Sequence, residues 1–175
     1  MQPRIPVHIR VVDQRFKRYL WPYLFQSAAA ALALFLVLAL QDIGAHAVIV
    51  AAIASTTFVL FFMPRRSAAK PRKVLGGHFW GALIGGAIAF FASSPAGLEL
   101  AGLTGYAFEI EAALAVGLTM LAMVATSTEH APAPGTALGL VINPFDWRVV
   151  LFVAVSVVLL SLAHRLMRPW LRDLV

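Results

Sequence analysis

The chain alternates long apolar runs with short polar breaks, and the runs approach the length of membrane crossings. A first run, 22–40, is rich in Ala and Leu, carries an aromatic collar of Trp21 and Tyr23, and is broken by "QDIG" (41–44). A second, "GAHAVIVAAIASTTFVLFFM", covers 44–63. The polar stretch "PRRSAAKPRKVLGGH" (64–78) leads to a short third run, "FWGALIGGAIAFFASS" (79–94), and then to a loop without Lys or Arg over 95–106. A fourth run occupies 108–126 and a last one 147–167. Between these two, "STEHAPAPGTALGLVIN" (127–143) sets a carboxylate, an imidazole and two prolines inside oily surroundings. A helix needs roughly 20 apolar residues to cross hydrocarbon. The pattern therefore predicts an all-α polytopic membrane protein with five full transmembrane helices plus a short, proline-broken segment.

Composition agrees. With 61% apolar and 13% charged residues, the chain lacks the polar surface a soluble domain of 175 residues would need. Crossings of this length leave short loops and no room for a soluble catalytic domain. The absence of cysteine excludes disulfides, iron–sulfur clusters and thiol catalysis within this chain. "AHA" (45–47) resembles a signal-cleavage site, but the apolar residues after it argue that the N-terminus is retained. Residues 1–20 are expected to form a basic interfacial segment, and 21–175 a single transmembrane domain with halves of about 21–94 and 106–168.

Charge refines the topology. The net +6 comes from basic residues beside apolar runs, which fits loops held on the cytoplasmic side and not a nucleic-acid-binding face. Should the 127–143 segment dip in and return, there are five crossings and the tail with Arg165, Arg168 and Arg172 lies outside. Should it cross, there are six, both termini face the cytoplasm, and of the Lys and Arg only Arg148 lies outside. Charge bias favours six, in a cell inner membrane. Six crossings divide into an inverted 3+3 repeat whose middle members both begin with Gly and small residues, "IGAHAVIVAAI" (43–53) and "PGTALGLVI" (134–142). Paired interruptions of this kind point to a transporter's binding site; the plainer alternative is two membrane helices that begin with small residues.

"PRRSAAKPRKVLGGH" followed by "EHAPAPGTAL" resembles the HPP family of integral membrane proteins, named for a motif that usually runs His-Pro-Pro-Ala-Gly-Ala-Thr-Ala-Leu. His130, Pro132, Ala133, Thr136, Ala137 and Leu138 fit that motif, while Ala131 replaces a proline and Pro134 and Gly135 replace Gly-Ala. In the basic stretch Pro64, Pro71, Arg72, Gly76, Gly77 and His78 fit, and Lys70 stands where glutamine is usual. The resemblance covers 44–142. It implies a small-anion transporter, with nitrite the first candidate because members from cyanobacteria and plastids are implicated in nitrite transport.

The breaks suggest how an anion could be held. Irregular backbone at membrane depth is tolerated only where it lines a cavity or is buried in protein. A helix restarting at about Pro134 would leave the amides of Gly135, Thr136 and Ala137 pointing unpaired into the break. A mirrored restart at Gly44, Ala45, His46 and Ala47 would offer a second set. Two facing helix N-termini would then hold the anion, with the Thr136 hydroxyl and His46 as orienting donors. Glu129 beside His130 suits a proton relay; alternatively Glu129 is solvated and His130 bonds a broken helix end. His78, after Gly76 and Gly77, is expected to cap the third crossing, with gate or ligand duty as the alternative. Arg72 is the cation of the basic loop assigned a gating pair. Gly77, Gly81, Gly85 and Ala89 recur every fourth residue, a packing stripe either within the subunit or in a homo-oligomer.

His46, His78 and His130 match no metal-ligand spacing, so no metal or cofactor is expected. No nucleophile–base pair or paired carboxylates stand out, so an enzyme is not expected. The partners expected are the bilayer and a small inorganic anion. The rivals to a carrier are an anion channel and a membrane scaffold or assembly protein that moves nothing.

Overall fold

The computed structural model describes residue 16, residues 19–39 and residues 47–175. The interfacial segment expected over 1–20 falls almost wholly outside these residues, as do Gly44, Ala45 and His46. Among the described residues the regular structure is entirely helical: α1 (Leu20–Ala39), α2 (Ala47–Phe62), a 3₁₀ turn (Ser67–Ala69), α3 (Pro71–Ala92), α4 (Pro95–Gly102), α5 (Ala107–Ala125), α6 (Ala133–Val141) and α7 (Trp147–Met167). Four of these, α1, α3, α5 and α7, are long and apolar enough to span a bilayer. With 16 residues α2 is about 24 Å long, and α6 with nine is about 13 Å.

Two boundaries differ from the sequence reading. The polar stretch expected to be loop through His78 is helical from Pro71, whose fixed φ and missing N–H suit the first helical position. That adds two turns to the expected third crossing and leaves a basic loop of only 64–70. The expected loop 95–106 contains α4, started by Pro95 and capped by the Ser94 hydroxyl, which accepts from the Gly97 amide at 3.2 Å.

The tail locates one end of the bundle. The Leu174 amide donates to the Phe62 carbonyl at 2.9 Å, and Tyr23 donates to the Leu174 carbonyl at 2.9 Å. Buried Gln26 accepts from the Arg172 amide and donates to the carbonyls of Phe61 and Arg172. The start of α1, the end of α2, the start of α3 and the end of α7 therefore meet at one end. Arg72 brings the end of α5 there as well, donating to the Thr126 carbonyl at 3.1 Å. At this end lie Arg65, Arg66, Lys70, Arg72, Lys73, Arg165, Arg168 and Arg172, with Arg148 at the other.

Polar and apolar positions are arranged for lipid. Leu24, Leu32 and Phe35 on α1, Leu114, Leu118 and Leu121 on α5 and Leu151, Val158 and Leu162 on α7 face outward, while Gln26, Thr56, His78, Thr119, His130 and Thr136 are buried. A soluble domain places these classes the other way round. Helices α2 and α6 sit innermost: α6 is enclosed by α2, α3 and α5, and α2 by α1, α6 and α7.

Candidate functional site

The site begins with what α3 lacks. Gly77, Gly81 and Gly85 leave one side of the helix without side chains, and α6 lies in that trough. A methyl on Gly77 would come within 2.8 Å of His130 Cβ, one on Gly81 within 2.6 Å of the Ala133 carbonyl oxygen, and one on Gly85 within 2.6 Å of Ala137 Cα. The matched order of these contacts makes α3 and α6 parallel. The glycine stripe is thus filled from within the chain, which corrects the expectation of a homo-oligomer through the Gly77/Gly81/Gly85 face: no second copy can reach a trough already holding α6.

The break between α5 and α6 is a compact turn. Helix α5 ends with Ser127 in the left-handed region, at φ 52°, so that the Thr128 amide reaches back to the Met123 carbonyl at 2.9 Å. Thr128 then packs on Gly76, where a methyl would come within 2.5 Å of its Cγ2. Buried Pro132 and Pro134 flank the start of α6. The Ala133 amide donates to the His130 carbonyl at 2.9 Å and the Gly135 amide to the Pro132 carbonyl at 3.1 Å. The open donor expected at Gly135 is therefore taken within the turn. The amide of Ala137 falls opposite the Ala133 carbonyl by helix geometry.

Nor do two helix starts face one another among the described residues. Gly135 packs on Ala52 and Gly139 on Ile49, so α2 and α6 run antiparallel side by side. Exposed Ala47 consequently lies beside the last turns of α6, away from its start.

What the trough does bring together is a buried polar chain. His78 projects from α3, Thr56 from α2, Thr136 from α6 and His130 from the turn before α6; the first is 3% exposed and the others 0%. The His78 Nδ1 lies 2.8 Å from Thr136 Oγ1 and its Nε2 lies 2.8 Å from Thr56 Oγ1. Thr56 Oγ1 is also 3.1 Å from His130 Nε2, and His130 Nδ1 is 3.1 Å from the Ala68 carbonyl. The two rings stand 5.2 Å apart at 55°.

Partner chemistry orients this chain. A carbonyl only accepts, so His130 Nδ1 carries a hydrogen. In a neutral imidazole Nε2 then accepts, and the Thr56 hydroxyl is the donor within its reach. Thr56 has one hydrogen, so His78 donates to it from Nε2 and accepts at Nδ1 from the Thr136 hydroxyl. With neutral rings the donation runs in one sense, from Thr136 through His78, Thr56 and His130 to Ala68. The alternative acceptor for Thr56 is the Ala52 carbonyl at 3.0 Å, so its hydroxyl is the one member with a choice.

The remaining expected residues sit apart. His78 is in the eighth position of α3 and caps nothing, because the helix begins at Pro71. Glu129 and His130 diverge: Glu129 pairs with Lys73 at 2.5 Å while both nitrogens of His130 are occupied, so adjacency in the chain builds no relay. The hydrogen bond from Lys73, its own backbone amide and the charges of Lys73 and Arg72 hold the half-exposed Glu129 carboxyl below the usual range. Arg72 is engaged with the Thr126 carbonyl at the end of α5 and pairs with no carboxylate among the described residues. Thr126 also accepts from Trp80 Nε1 at 2.9 Å, fastening α3 to α5 a second time.

The sequence reading missed Thr56, although a Thr-Thr pair inside an aliphatic run was a signal that something polar is satisfied there. Gln26 gave a similar signal within α1. A groove of about 580 Å³ between α3 and α7 reaches His78, among the described residues the one polar member of a lining that includes Phe79, Phe90 and Phe145.

Residues 15–170 match the transmembrane region of the HPP family. A transmembrane protein of Dictyostelium discoideum is 30% identical over 111 residues, which make up 63% of this chain and 36% of the relative. The alignment thus spans about a third of that relative. No solved structure matches the chain.

Proposed function

The chain belongs to the HPP transmembrane family, and from that premise we propose that it carries a small inorganic anion across a membrane, with nitrite the first candidate. The observation that carries this reading is the Thr136–His78–Thr56–His130 chain, buried beside the turn that starts α6. Ionisable groups inside membrane domains are costly and mark substrate or proton paths.

The chain of donors suggests how a proton and an anion are coupled. An imidazolium at His78 donates from both nitrogens, so the Thr136 hydroxyl must turn away. A positive charge then sits in a dry site without a carboxylate partner, and an arriving anion neutralises it. Proton and anion move together as a neutral pair, which removes the opposition of the membrane potential to anion entry. The Thr56 hydroxyl, free to turn between His130 and Ala52, passes the hydrogen between the rings.

The topology assigned is five full crossings and a short sixth at α6 in an inverted 3+3 repeat, with both termini at the cytoplasmic side of an inner membrane. The gathering of basic residues at one end supports that orientation. The parallel course of α3 and α6, each starting from that end, supports α6 as a crossing in its own right.

The test is flux through purified protein in liposomes, screened across nitrite, nitrate, formate and chloride. An acid-outside gradient is expected to accelerate uptake, and His78→Asn to abolish the acceleration. Failure to move any of the four anions faster than protein-free vesicles would sink the transport reading and favour a scaffold.

A further inference from the structure

A second site lies at the basic end, away from the histidines. The 64–70 turn and the last turns of α7 enclose a hollow of about 290 Å³ whose lining includes Arg65, Arg66, Lys70, His164, Arg165 and Arg168, and, among the described residues, no acidic one. A second hollow alongside shares Arg65, Arg165 and Arg168.

We propose that this hollow is a phosphate-class binding site, occupied by the phosphodiester headgroup of an anionic membrane lipid.

Three observations carry the assignment. First, no carboxylate side chain among the described residues forms an ion pair with these cations. Among the described residues the only ion pair is Lys73–Glu129, outside this hollow. Arg66 donates to the Val175 carbonyl at 3.2 Å, and the nearby Asp173 carboxylate accepts from the Arg65 backbone amide at 3.0 Å. Like charges gathered around one concavity repel unless an anion is supplied. Second, the hollow is built on fixed parts. His164 Nε2 donates to the buried Pro64 carbonyl at 3.2 Å, tying α7 to the turn. Buried Ala69 lines it and belongs to the same apolar core as Leu171. The arginines project from that frame, and their planar forks match phosphate oxygens in pairs.

Third, the position fits a lipid. The hollow lies where two bilayer-length helices end, beside exposed Trp170 and Leu166, at the level of headgroups. Basic pockets between such helices at the cytoplasmic face suit anionic headgroups. Among the described residues no Phe, Tyr or Trp lines it, so it lacks the row of aromatic rings on which single-stranded nucleic acid stacks.

The experiment is thermal unfolding of the full chain in neutral detergent micelles, titrated separately with phosphatidylglycerol, phosphatidylcholine and inorganic phosphate. Phosphatidylglycerol is expected to raise the Tm saturably, as a ligand of the native state does. Phosphatidylcholine and millimolar phosphate are expected to leave it unchanged. Arg168→Gln should weaken the half-saturating lipid concentration about tenfold, whereas Arg148→Gln, with the same loss of charge at the other end, should not. The double variant R165K/R168K, which keeps the charge but loses the planar forks, should retain a smaller shift and R165Q/R168Q lose it, each folding as well as wild type without lipid. Equal lipid responses in R168Q and R148Q would overturn the site. A saturable rise with inorganic phosphate at the concentrations effective for the lipid would overturn the lipid as occupant. Because the readout is stability, it is independent of whether the protein moves an anion.

Discussion

Replacing Thr56 with valine keeps the shape of the side chain and deletes the hydroxyl on which both rings converge. Two buried groups lose their partner: the Nε2–H of His78, now 2.8 Å from an oxygen, and the Nε2 lone pair of His130 at 3.1 Å. His130 cannot escape by changing tautomer without breaking its bond to the Ala68 carbonyl. An unsatisfied buried polar group costs about 1–3 kcal/mol. In bilayers measured side-chain hydrogen bonds fall near the low end, because the partly unfolded helices also find partners. Two orphaned groups therefore predict a loss of about 2–4 kcal/mol for Thr56→Val, while Thr56→Ser, which keeps the oxygen, should stay within about 1 kcal/mol of wild type. Equilibrium unfolding in mixed micelles measures both. Combined with His130→Phe, the cost should be less than the sum of the single variants, since the two remove one shared bond. A Thr56→Val protein within about 0.5 kcal/mol of wild type, or indistinguishable from Thr56→Ser, would refute the chain as drawn.

Gly85→Ala places a methyl 2.6 Å from backbone atoms of α6, so unfolding should show a loss of about 1–3 kcal/mol, whereas Gly117→Ala, with nothing within 4 Å, should be neutral or gain up to about 1 kcal/mol. For the Lys73–Glu129 pair, a carboxyl held below its usual pKa stabilises the fold above that usual value and loses the contribution as pH falls through the depressed one. Glu129→Gln should therefore be less stable than wild type at neutral pH and match it once the pH is well below about 4; a gap that persists in acid would show that Glu129 acts through packing.

Helix existence was legible because hydrocarbon imposes it: a long apolar run has no other way to pair its backbone, and the ends of α1, α5 and α7 fall within a residue or two of where the apolar runs stop. The start of α3 was misread for an instructive reason. Positive charges and glycines over 72–77 look like loop, yet Pro71 starts a helix there and the glycines are needed inside it for the approach of α6. The glycine stripe itself stood out in the sequence as a packing face, but spacing says only that something comes close, not what.

That partner is a tertiary fact. His78 and His130 are 52 positions apart, and Thr56 belongs to a third helix; only the seating of α6 on Gly77, Gly81 and Gly85 brings their polar atoms within hydrogen-bonding distance. Similarly, the arginines of the 64–70 turn and of the end of α7 become one hollow only when His164 reaches Pro64. Local composition determines which segments must be helical and lie in lipid, because that cost is paid residue by residue. Which buried polar groups satisfy one another is decided by contacts between distant segments, and those exist only after the helices have packed.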